Sequence, residues 1–131
     1  MTDIRNREDI VLLLEKFYSK ALSDATIGYF FTEVVPLNME THIPLITDFW
    51  ETVLFGKAAY KGNVMKMHQH IHELSPFNDE HFKRWAQLFI ETVDEMYEGA
   101  IATTAKQRAE SVATLMRIKL LHGGIGFSGK Q

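Results

Sequence analysis

The chain has 131 residues, a formal charge of −3, 46% hydrophobic residues and no cysteine. That length and composition suit one domain, 1–131, around a single core, and they exclude disorder and give no basic surface for nucleic acid or an anionic membrane. Without cysteine there are no disulfides or thiolate metal sites; with a polar N-terminus over 1–7 and no apolar run long enough for a bilayer, a cytoplasmic protein is expected.

Ile10, Leu13, Leu14, Phe17, Ala21 and Leu22 recur at helical spacing. Asn6 is the expected cap of this first helix, with Asp9 three residues on, and Ser23 and Asp24 interrupt it. A short aromatic segment, Ile27 to Phe31, follows. The next helix is expected from near Thr41, with Pro44 in its first turn, where a missing N–H costs little. It carries Ile46, Phe49, Trp50, Val53 and Leu54 and stops at Gly56.

Lys57 to Gly62 reads as a loop and Asn63 to Glu73 as a shorter helix, with Pro76 beyond it. Asn78 is the expected cap of a helix bearing Phe82, Trp85, Phe89, Val93 and Met96 or Tyr97 on one side, ended by Gly99. The last helix is predicted over about Thr104 to Leu121, with Ala109, Val112, Ala113 and Met116 inward. Gly123 and Gly124 stop it, and 123–131 reads as a loose tail. No strand pattern competes, so the class is all-α.

Tyr18, His42, His68 and Trp85 each fall on a different predicted helix, in or beside an aromatic, apolar stripe. One imidazole to bind a metal, a flat apolar slot and polar groups opposite are what a buried heme iron needs. The residues taken singly allow plainer readings. Tyr18 is an ordinary boundary tyrosine with its hydroxyl in water, His42 an exposed first-turn residue and Trp85 core. The His68-Gln69-His70-Ile71-His72 run also permits a zinc or non-heme iron site through His68 and His72, which share a helical face while His70 points away.

The combination says more. Phe17-Tyr18 is followed by Gly28-Tyr29-Phe30-Phe31, His42-Ile43-Pro44 and Asp48-Phe49-Trp50-Glu51. Then come Tyr60-Lys61-Gly62-Asn63-Val64-Met65 with His68 three residues on, and His81-Phe82-Lys83-Arg84-Trp85 with Leu88-Phe89. Over about residues 8 to 120 this order closely resembles the truncated hemoglobins of group III.

The resemblance implies a truncated globin fold, a two-on-two antiparallel helical sandwich around non-covalent heme b. It assigns His68 as the proximal iron ligand. Tyr18 and Trp85 match the distal hydrogen-bond donors, and His42 matches the distal gate, with Ile46 one turn along. Phe31, Phe49, Trp50, Phe82 and Trp85 match residues packed on the cofactor. One position departs from the commoner pattern: Val64 stands where proline often follows the pair matching Gly62-Asn63. The implied function is reversible binding of dioxygen and other small diatomic ligands. The alternative is nitric oxide dioxygenation or peroxidase-like chemistry on the same heme, with electrons from an external reductase.

Overall fold

Asparagine caps set where four of the five α-helices begin, because a short side-chain amide satisfies an N–H that the first turn leaves free. In this computed structural model, which describes residues 1–60 and 62–123, α1 spans Arg7–Ala21 and α2 Met39–Phe55. α3 spans Val64–Leu74, α4 Asp79–Met96 and α5 Ala100–Arg117. Single π-helical turns cover Phe30–Val34 and Ile118–Gly123. Asn6 accepts from Asp9 N at 3.0 Å and Asn78 from His81 N at 3.2 Å, as the pattern predicts, and Asn63, expected inside its helix, caps it by accepting from Lys66 N at 2.9 Å.

The boundaries differ in three places. α2 starts at Met39, because Asn38 is its cap and accepts from Glu40 N at 2.9 Å. Pro44 is therefore inside the helix rather than in its first turn. It lies on the solvent side, as does Glu40, whose carbonyl would otherwise take the missing N–H. α4 ends at Met96, so Gly99 does not terminate it; Gly99 instead begins α5, four residues earlier than the pattern places that helix. The region from Lys57 to Gly62 is a loop as far as it is described; Lys61, Gly124 and the tail over 124–131 lie outside the described residues.

The N-terminal segment is not a merely polar lead-in. Ile4 is 2% exposed and belongs to the core. Glycine offers α5 no capping side chain, and Asp3 replaces it: Oδ2 accepts from Ile101 N at 2.9 Å and Oδ1 from Ala102 N at 2.8 Å. Gly99 has φ +149°, and a Cβ there would collide with the Asp3 carboxylate, so both the backbone angle and the close approach require glycine.

Helices α1 and α2 pack together, α4 packs on α5, and α1 against α4 joins the two pairs. The shared core is built from Ile10, Leu13, Leu14 and Phe17 of α1 and Phe89 and Val93 of α4, with Ala102, Ala105 and Ala109 presenting a small-residue face on α5. Buried Thr47 and Thr92 donate to the carbonyls one turn back, Ile43 O and Leu88 O, each at 2.6 Å, so neither hydroxyl is left unpaired. Arg7 ties α1 to α2 by donating to Asp48 Oδ1 at 2.7 Å and to buried Glu51 at 2.6 Å. All secondary structure among the described residues is helical, and none of these helices is long and apolar enough to cross a membrane.

Candidate functional site

Helix α3 stands off from the packed pairs, and a cavity of about 320 Å³ opens between it and α1, α2, α4 and α5. Its walls are overwhelmingly aliphatic and aromatic, and among the described residues none that lines it is Asp, Glu, Lys or Arg. The polar atoms it offers belong to Tyr18, His42, Tyr60, His68, His81 and Trp85. A cavity with this lining favours a flat apolar guest that needs only a few polar contacts.

Every residue that the resemblance assigns to the pocket reaches it: Tyr18 from α1; Phe31 from the first π-helical turn; His42, Ile46, Phe49 and Trp50 from α2; His68 from α3; and Phe82 and Trp85 from α4. Tyr18 is not a boundary residue. It is 7% exposed, and its Oη lies 2.8 Å from His42 Nε2. His42 is half-buried rather than solvated, its ring edge-on to Tyr18 at 5.0 Å. Phe31 also meets Tyr18 edge-on, at 5.7 Å.

The aromatic wall is ordered by stacking. Trp50 lies on Phe89 at 4.8 Å and 12°, and Trp85 lies on Phe89 at 5.7 Å and 15°. Phe49 stands edge-on to Trp50 and to Tyr60, each at 5.5 Å. Such pairs hold the rings in place and so keep the cavity's shape.

Burial sets the protonation states. Out of water the phenolate of Tyr18 is penalised, and its pKa is driven far up, so the hydroxyl keeps its proton. Burial first, and then the charge of a nearby protonated His68, push His42 below its ordinary value. At neutral pH the cavity therefore holds a neutral phenol against a neutral imidazole.

The three histidines of α3 separate. His68 faces the cavity, with its ring 6.3 Å from Phe77. His70 points outward, 4.0 Å from Glu73 at the surface. His72 stacks on Phe77 at 5.8 Å, and its Nδ1 accepts from Phe77 N at 2.9 Å. His72 Nδ1 is thus occupied, and among the described residues no group of three or more His, Asp or Glu gathers to hold a metal ion. The geometry disfavours the zinc or non-heme iron alternative.

Sequence reasoning missed several lining residues. Tyr60 is placed by its backbone N–H, which donates to Thr52 Oγ1 at 3.0 Å. Burial raises its hydroxyl pKa as well. Phe30, Phe77, Met67, Ile71 and His81 complete the wall near α3 and the start of α4. Tyr60 and His81 stand inside the distinctive segments, but nothing local says that they turn inward.

No family model matches the chain. The group 3 truncated hemoglobin of Campylobacter jejuni is 32% identical to it over 112 residues, which span 83% of this chain and 86% of that protein. The crystal structure of the group III truncated hemoglobin from the same species superposes with a TM-score of 0.80 at 29% identity, covering 93% of this chain and 97% of that one.

Proposed function

The chain belongs to the group 3 truncated hemoglobins, and we propose on that footing that its cavity holds heme b non-covalently and that the loaded chain reversibly binds dioxygen and other small diatomic ligands. The observation that carries this is the arrangement of the cavity: His68 on one wall, the bonded pair Tyr18 and His42 on another, and apolar residues over most of the rest. The residues fit the group, because a flat macrocycle needs an apolar slot, one neutral imidazole and few other polar contacts.

When bound, heme b would supply an iron centre able to take one protein ligand and to bind a small gas. His68 is the proposed ligand to that iron. Phe31, Ile46, Phe49, Trp50 and Phe82, which line the cavity, would exclude water and give the macrocycle its apolar contacts. Tyr18 O–H and Trp85 Nε1–H are the proposed donors to a bound diatomic. Burial keeps the Tyr18 proton in place across the physiological range. His42, half-buried and bonded to Tyr18, is the proposed gate, with Ile46 beside it. Compartment and ligand are part of the same reading: a cytoplasmic protein that meets dissolved gases directly.

His42 favours a second reading, turnover of nitric oxide or peroxide. A neutral imidazole bonded to a buried hydroxyl can accept and return a proton. Sustained turnover would need electrons from a separate reductase. Rates on the loaded chain above those of free hemin support turnover; equal rates leave carriage.

The deciding experiment is hemin titration of the purified chain, followed in the Soret band. One hemin per chain is expected in the wild type. His68→Gly should lose the native ferrous spectrum, and added imidazole should restore it. A native spectrum in that variant without imidazole would overturn the ligand assignment.

A further inference from the structure

The connection between α3 and α4 hangs on imidazoles. Phe77 N donates to His72 Nδ1 and the next amide, Asn78 N, donates to His81 Nδ1, each at 2.9 Å. An amide N–H only donates, so Nδ1 of each ring must be unprotonated, and the proton of each neutral ring sits on Nε2. For His81 that places Nε2–H toward Tyr29 Oη, 3.4 Å away. Asn78 in turn accepts from His81 N at 3.2 Å, closing a reciprocal capping box with histidine where Glu or Gln is usual.

The substitution matters because Glu and Gln remain acceptors at moderate acidity and histidine does not. A protonated imidazole is a donor at both nitrogens. It would face the Asn78 N–H donor to donor, and it would put a positive charge at the positive end of α4. The box is also part of the cavity. His81 and Phe77 both line it, and the His81 ring packs edge-on to Phe30 at 4.8 Å and to Phe77 at 6.2 Å.

The titratable and charged groups around His81 come from several elements. Tyr29 comes from the segment after α1. Asp79 and Glu80 share the first turn of α4, and Asp79 lies 3.9 Å from Arg117 of α5. Arg84, one turn along, is held by Asp24 at 2.9 Å, and His72 of α3 lies beyond Phe77. None of these charges moves it; burial alone pushes the imidazole below its ordinary value.

We infer that His81 is an acid-released latch: neutral, it pins Asn78 and the start of α4 against the cavity wall; protonated, it lets go of the Asn78 amide and loosens the α4 end of the α3–α4 connection. The latch is built from the polypeptide's own groups, on a wall of the cavity.

The test is NMR of the full-length chain, reading the His81 imidazole and the Asn78 amide from about pH 8 to about pH 5. Expected is an imidazole step below 6.5, with Asn78 amide protection lost in the same step. In His81→Gln, which keeps the box acceptor without a titrating ring, the Asn78 amide should stay protected throughout. A wild-type amide that does not follow the imidazole overturns the latch, as does the same step surviving in His81→Gln. Should that variant fail to fold, the wild-type titration decides by itself.

Discussion

Tyr18 Oη and His42 Nε2 lie 2.8 Å apart, and this bond links α1 to α2 on the wall of the cavity. A hydroxyl has a single proton. While the bond runs from Tyr18 to His42, that proton is engaged; when His42 carries its proton on Nε2 or swings away, Tyr18 can donate to something else. The phenol and the imidazole are therefore one unit.

Replacing Tyr18 with Phe should separate the two. Losing one hydrogen bond of about 1–1.5 kcal/mol to a bound ligand should speed dioxygen release from the loaded chain by roughly tenfold. Stopped-flow displacement measures it, and an unchanged rate would remove Tyr18 from the list of donors.

His42 should titrate below 6.5, since its folded-state value is depressed by burial and then by His68. A histidine depressed by folding takes up its proton first in the unfolded chain. Its contribution to stability is thus complete above about 6.5 and declines as pH falls from there toward the folded value. His81, also depressed, acts with the same sign. Chemical denaturation across this range should show the decline, and His42→Gln should reduce it, leaving the part due to His81.

Asp3→Ala should destabilise the whole chain through α5. It removes the acceptor of Ile101 N and Ala102 N, a loss of about 1–2 kcal/mol, within the range found for helix caps. Burial works against the Asp3 carboxylate, but amide N–H bonds from Ile101, Ala102, Ile4 and Ala100 outweigh it and hold its pKa below the ordinary 3.8. The stabilisation is present above that value and is lost as pH falls through the lower folded one. A thermal midpoint that did not move would mean that the N-terminal strap is idle.

Gly28→Ala should fail for a different reason. Its Cβ would lie 2.7 Å from the backbone oxygen of Leu22, which cannot turn aside as a side chain can. We expect about 1–3 kcal/mol of destabilisation and a shifted aromatic segment. Calorimetry checks the first, and the ring-current shifts of Tyr29 and Phe31 check the second. Full stability would show that this turn relaxes freely.

The helices were legible because helical period and capping are local. Ile10, Leu13, Leu14 and Phe17 repeat every three or four residues, and Asn6, Asn63 and Asn78 precede the turns they cap. The start of α5 was not legible for the opposite reason: its cap is Asp3, almost a hundred positions away, and Gly99 alone looks like a stop. The start of α2 was hidden by Pro44, which invites a first-turn reading that solvent exposure makes unnecessary.

The amino-acid order alone determined the all-helical class and the aromatic inner faces, and resemblance picked out part of the cavity's lining. What only the packed chain decided is which polar groups meet. Tyr18 found His42, His68 turned inward while His70 turned out, and His81 took the Asn78 amide. Spacing fixes a side chain's angle around its own helix axis. It says nothing of how far the next helix stands, and hydrogen bonds are decided by that distance.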